Sequence, residues 1–141
     1  MKTWTESLPF FPAGELACKG SGVVLLDIRF AVALPVLRVQ WGRPLNLTSC
    51  CRSPAHNRAV KGHPRSLHLT QPYHGGAWGT MAADIDWSGW TMQERRAFDT
   101  LARAAGWSTG RAVGFVHIDR RADIGMQATS YNYSGADAHG W

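Results

Sequence analysis

Residues 45–87 read LNLTSCCRSPAHNRAVKGHPRSLHLTQPYHGGAWGTMAADIDW, and the fold turns on how this stretch is parsed. Leu45 to Ser49 alternates apolar and polar residues, as a half-buried strand does. Ser53 is placed to cap a helix, and Pro54 suits its first turn, where the missing N–H costs nothing. That short helix should run to about Lys61 and close at Gly62. Residues 62–80 are rich in Gly, Pro and His and read as loop. Thr80 to Asp86 then forms a second strand. Alternation sets Ala82, Asp84 and Asp86 on one face and Ala83 and Ile85 on the other.

Downstream, Thr91 and Glu94 form a capping box. It opens a helix through Met92, Phe98, Leu101, Ala102 and Ala105, closed by Gly106. Ala112 to Ile118 reads as a third strand, with Val116 and Ile118 facing away from His117. The tail predicts one more short strand near 127–133. Upstream, Leu26, Phe30, Ala33, Leu37 and Trp41 recur at helical spacing over 25–41, with Asp27 as cap. Pro35 should kink or split that helix, and Gly42 and Pro44 stop it. Residues 1–22 read as an irregular arm ending in a turn. No internal repeat appears. Helices alternate with strands along 141 residues, which predicts a single α+β domain over 1–141. Its centre should be a mainly antiparallel sheet flanked by helices.

Composition narrows the function. Net charge is +5 with a pI near 9.6, so the surface suits polyanions such as nucleic acid, anionic lipid or an acidic cell wall. The basic residues are scattered, no run of five exists and no aromatic-basic RNA signature is present, which argues against nucleic acid. Three cysteines (Cys18, Cys50 and Cys51), with no CxxC among them, make a poor disulfide framework and read as reduced, partly buried thiols. The N-terminus lacks the apolar run of a signal peptide. The most apolar stretch, Val23 to Val39, is broken by Asp27, Arg29, Pro35 and Arg38 and cannot span a bilayer. Synthesis in a cytoplasm follows, and a domain of this size can stand alone as a monomer. The seven tryptophans must partly serve the core, while others can form a flat wall against substrate.

Chemistry concentrates in His68, Asp84 and His117. Asp84 and His117 lie on strands that can be neighbours, so carboxylate and imidazole can meet on one sheet face, with His68 closing a third corner from the loop. Two imidazoles and a carboxylate suit a catalytic zinc with one position open for water. Taken singly, each is as readily a hydrogen-bonded structural group. His56, His63 and His139 read as surface imidazoles, and Asp86 as a turn carboxylate. No HExxH is present, and the cysteines lack zinc-finger spacing. A thiol enzyme built on Cys50 or Cys51 is a weaker reading, because nothing in the sequence lowers a thiol pKa.

Several motifs in order resemble the zinc D-alanyl-D-alanine peptidase family, which shares its fold with the Hedgehog signalling domain. They are Arg52-Ser53-Pro54, Asn57, Ser66-Leu67-His68, Ala82-Ala83-Asp84 and Phe115-Val116-His117-Ile118-Asp119. The likeness runs from about Glu15 to the C-terminus, and the segment Asp119 to Gly125 looks most like phage-encoded members. The resemblance implies that His68, Asp84 and His117 hold Zn2+ and that Arg52 grips a peptide carboxylate through its fork of donors. It implies hydrolysis of peptidoglycan stem peptides or cross-links at the bacterial cell wall, by a carboxypeptidase or endopeptidase of lysin type. A non-catalytic wall-binding or virion module on the same fold is the alternative.

Two departures stand out. Many relatives place the Asp soon after the first His, whereas here the gap is sixteen residues. The inserted loop predicts Tyr73, His74 and Trp78 as substrate contacts beside Ser66. Some relatives also carry an acid or His shortly before the last ligand, as general base; here Gly114 and Phe115 stand there. The nearest carboxylate is Asp119, expected as base, or else as a group that orients an imidazole.

Overall fold

The computed structural model describes residues 1–136 and 141; His139 lies outside the described residues. In chain order the elements are β1 (Thr3–Trp4), α1 (Ala13–Leu16), β2 (Leu26–Asp27), α2 (Ile28–Trp41), β3 (Leu47–Ser49) and α3 (Pro54–Ala59). There follow β4 (Ala82–Asp86), α4 (Met92–Ala104), β5 (Ser108–Arg111), β6 (Phe115–Asp119), a 3-10 turn (Arg121–Ile124) and β7 (Ser130–Asn132). Five strands form the main sheet in the order β3-β4-β6-β5-β7, and β1 pairs with β2 apart from it. All pairings in the main sheet are antiparallel except β5 with β7. The α+β architecture expected from the sequence is therefore the one found.

Local rules set most boundaries. Asp27 caps α2 by accepting from Arg29 N at 2.9 Å, and Gly42 ends it at φ 77°, a left-handed turn that glycine takes at no steric cost. Pro35 does not split the helix, which stays continuous from Ile28 to Trp41. Packing outweighs the lost hydrogen bond: Phe30, Ala31, Leu34 and Leu37 are buried along one side. Each large side chain so buried contributes about 1.5–3 kcal/mol. Ser53 caps α3 with Pro54 in its first turn, and the Thr91–Glu94 capping box of α4 is complete.

One sheet face builds the core. Ala83, Ile85, Val116 and Ile118 belong to the same buried cluster as Phe30, Leu34 and Leu37 of α2 and Phe98 and Ala102 of α4. Trp41 stacks on Trp90 and meets Phe98 edge-on. Trp107 meets Phe30 edge-on, and Trp87 stacks on Trp141. The N-terminal arm is more ordered than its sequence suggests. Phe11, Leu16 and Cys18 are buried, and Glu15 accepts a hydrogen bond from Leu47 N at the sheet edge. Strand β5 departs from expectation too. Ser108-Thr109-Gly110-Arg111 lacks apolar alternation, yet it pairs on both sides, with β6 and β7. Gly110 lets the Tyr131 ring lie over the strand, since a Cβ would fall 2.6 Å from Tyr131 Cζ.

Candidate metal centre

The opposite face of the sheet carries the chemistry. Strands β4 and β6 run antiparallel in a register that sets Asp84 directly across from His117 and Ala82 across from Asp119. Directly paired residues share a face, so Asp84, His117 and Asp119 rise together. His68 arrives from the segment before β4. That segment is bonded to the chain between β3 and α3 at Arg52: Arg52 N donates to His68 O at 2.9 Å and Thr70 N to Arg52 O at 2.9 Å. Thr80 Oγ1 donates to His68 O at 2.8 Å. Backbone pairing thus fixes His68 although it lies outside any strand.

His68, Asp84 and His117 are all buried, and one donor atom from each lies within 4.8 Å of the others. Asp84 Oδ1 sits 3.1 Å from His68 Nε2 and 3.1 Å from His117 Nδ1. The far nitrogen of each ring is held from behind. His68 Nδ1 lies 2.7 Å from the Cys50 carbonyl; a carbonyl only accepts, so Nδ1 carries the proton and Nε2 points its lone pair inward. His117 Nε2 lies 2.8 Å from Asp119 Oδ2. Rings oriented through their outer nitrogens are the usual support of imidazole metal ligands.

Electrostatics agree with a site built for a cation. Burial would raise the Asp84 carboxyl, but His68 and His117 hold it well below the usual carboxylate range. Burial would lower His117, but the hydrogen bonds it makes to the Asp119 and Asp84 carboxylates raise it to about 9. Burial keeps His68 below its ordinary value despite the attraction of Asp84. The donor set, two nitrogens and a carboxylate oxygen, is one that zinc accepts.

Around this centre opens a cleft of about 740 Å³. Ser66 and His74 line it. Ser66 Oγ accepts from His68 N at 3.1 Å, so its hydroxyl also shapes the ligand turn. Arg52 lines the cleft as well. It reaches Asp84 Oδ2 at 3.4 Å, Asn57 Oδ1 at 3.4 Å and Ser49 Oγ at 3.1 Å. The structure corrects two expected contacts. Trp78 is not among the cleft residues; it lies between Arg29, 3.9 Å from its ring centre, and Lys2, at 5.4 Å. Tyr73 is 64% exposed and turns towards Arg65 and the edge of His74, outside the cleft lining.

Asp119 also differs from expectation. It is fully buried. Its Oδ2 accepts from His117, and Arg121 donates to both oxygens, at 2.9 Å and 2.7 Å. Burial would raise its carboxyl, but His117 and Arg121 hold it below the ordinary range. These contacts suit an orienting carboxylate and not the proton acceptor expected from the sequence. Asp86 caps its own turn, accepting from Ser88 N at 2.9 Å.

The sequence reading missed the aromatic wall of the cleft: Phe115, Tyr131 and Tyr133. Its signal was available, since Tyr131 and Tyr133 are two apart and a strand puts such residues on one face. No tryptophan lines the cleft among the described residues. The three cysteines are buried and unpaired. Cys51 contradicts the expectation of unperturbed thiols, since a hydrogen bond from Cys50 and others lower it to about 7 against the effect of burial. Burial pushes Cys50 up, and neither thiol lines the cleft.

The family model for peptidase M15 matches residues 13–119, well over half of the chain. The chain belongs to the peptidase M15 family. Neither curated proteins nor solved structures offer a match. M15 peptidases are zinc-dependent, and the matched span contains His68, Asp84 and His117, the His-Asp-His cluster that can hold the ion. No helix among the described residues is long and apolar enough to cross a membrane.

Proposed function

We propose that this M15 peptidase hydrolyses peptide bonds in bacterial peptidoglycan, in stem peptides or cross-links at a bond involving a D-amino acid. The observation that carries the reading is the buried His68–Asp84–His117 centre, with each imidazole braced from behind, at the floor of an open cleft. A zinc ion held there would lower the pKa of a bound water from about 16 towards 7 and polarise the scissile carbonyl. The protein's own groups supply the rest. Arg52 stands on the wall beside Asp84 and grips a peptide carboxylate. Asp119 keeps the His117 ring in place. Asp84 and Asp119 are committed to charged partners, so the water proton passes to the His74 imidazole on the cleft wall; a His74→Ala variant tests that role.

In this reading the enzyme works as a monomer and is of phage lysin type, made in a host cytoplasm and acting at the wall, where its positive charge favours an anionic polymer. The absence of an acid at Gly114 and Phe115 favours the alternative of a wall-binding module on the same fold. Digestion of purified peptidoglycan separates the two. The reading expects new amino or carboxyl termini to be released, with release abolished by a chelator and untouched by a thiol-alkylating agent. Binding to the wall with no release, in zinc-loaded protein, overturns it.

A further inference from the structure

We propose that the loop 60–65 forms an anion subsite that selects substrates bearing a second carboxylate, on the far side of Arg52 from the reacting bond. This rests on the peptidase reading and adds a substrate preference to it. Lys61 and Arg65 both line the cleft and are exposed. Neither forms an ion pair among the described residues. The acids of the cleft cannot serve them: Asp84 is taken by Arg52 and the imidazoles, and Asp119 by His117 and Arg121. One wall therefore carries surplus positive charge, while Phe115, Tyr131 and Tyr133 stand elsewhere on the lining as an aromatic surface.

The loop is built to hold its shape. Asn57 is buried and ties it down. Gly62 N donates to Asn57 O at 2.8 Å, and Asn57 Nδ2 donates to His63 O at 3.0 Å. The same Asn57 accepts from Arg52 at 3.4 Å, so the loop is coupled to the carboxylate-gripping Arg52. A Cβ at Gly62 would fall 2.0 Å from Asn57 Oδ1 and 3.1 Å from Arg52 Nη1, so only glycine allows this approach. His63 Nδ1 accepts from Arg65 N at 3.0 Å, which fixes the turn leading to Arg65. Lys61 occupies the left-handed position after α3 at φ 57°, where glycine is the usual residue. A lysine held in a costly backbone conformation at a cleft edge, on a loop pinned from beneath, is a group placed for a ligand. Two cations on a preorganised loop lose little entropy when they meet a carboxylate.

The test uses zinc-loaded protein and two synthetic pentapeptides that end in two D-alanines. They differ only in whether the second residue is D-glutamate or D-glutamine. Calorimetry measures binding and amine release measures cleavage. The variant is Lys61→Gly with Arg65→Ala, glycine being chosen because it fits the left-handed backbone; Arg65→Lys retains the charge. The proposal expects the wild type to bind the D-glutamate peptide roughly threefold to tenfold more tightly, with the preference shrinking as salt rises. The double variant should lose that preference through weaker binding of the acidic peptide alone, and Arg65→Lys should keep most of it. Equal binding of the two peptides by the wild type, or a preference that survives in the double variant, overturns the subsite. Failure of the peptidase reading is distinct: neither peptide is cleaved, while the binding comparison still gives its answer.

Discussion

The floor and the rim of the cleft are built on opposite plans. On the floor, every polar group of His68, Asp84, His117 and Asp119 that faces inward meets a named partner within 2.7–3.4 Å. Two of the three ligand candidates sit on paired central strands, and backbone bonds fix the third. On the rim, residues 60–65 hold exposed charges on a loop with His74 on the same lining, and a few main-chain contacts set the loop's shape. The floor can hold a metal because its geometry is settled before any ligand arrives; the rim, on the proposal above, would choose among substrates through charges left without ion partners. Substitutions should therefore act differently in the two regions. Changes to the floor should strike the metal and the chemical step, and changes to the rim should strike substrate affinity.

The largest effect is expected from removing a ligand. His68→Ala, Asp84→Ala or His117→Ala should abolish zinc retention and cut hydrolysis by at least ~10³-fold, since the ion supplies several kcal/mol of the rate. Asp84→Ala should also lower stability by about 1–3 kcal/mol, because Arg52 and His117 each lose one charged partner while His117 keeps Asp119. Thermal melting beside zinc analysis checks both. Next comes Asp119→Asn. If this carboxylate orients His117, zinc affinity should fall about 10–100-fold while metal-saturated protein keeps much of its rate. Full zinc affinity with a collapsed rate would instead restore Asp119 as the base.

Acidity offers a milder way to test the floor. In metal-free protein His117 has its pKa raised to about 9, so its contribution to stability is complete below the ordinary histidine value of about 6.5. That contribution should be lost as pH rises through about 9. A metal competes with the same proton. Zinc affinity should therefore strengthen with pH up to about 9, by nearly tenfold per unit, and proton release on binding reports it. Affinity that does not change over this range would mean that the His117 proton and the metal do not share a site.

The smallest effect belongs to Trp78. Trp78→Ala should cost about 1 kcal/mol through lost contact with Arg29 and Lys2 and leave kcat/KM unchanged. A rise in KM would bring Trp78 itself into contact with substrate.

The same division explains what could be read from the sequence. Asp84 and His117 were legible because strand alternation fixes which residues share a face. Their exact pairing needed the register, which the structure supplies. The motifs Arg52-Ser53-Pro54 and Asn57 were legible as cap and helix; that Asn57 also ties Gly62 and His63 to Arg52 was not, because the contact depends on a loop closing over a glycine. Strand β5 was hidden because its stability comes from ladder bonds and from Tyr131 lying on Gly110, neither of which leaves an apolar pattern. Trp78 and Tyr73 were assigned to the cleft from their closeness in sequence to His68. The inserted loop instead anchors on α2, where Arg29 donates to Gly76 O at 2.8 Å and Asp27 accepts from Trp78 N at 3.0 Å. Sequence proximity says little about which way a loop turns.

His68, Asp84 and His117 should act together as one metal site. Elemental analysis of purified protein tests it most directly, with the three single alanine variants beside the wild type. About one zinc per chain in the wild type, and none in any variant that still folds by circular dichroism, is the predicted result. A wild type that takes up no zinc after reconstitution, or variants that keep it, would mean that these three residues are not the metal ligands.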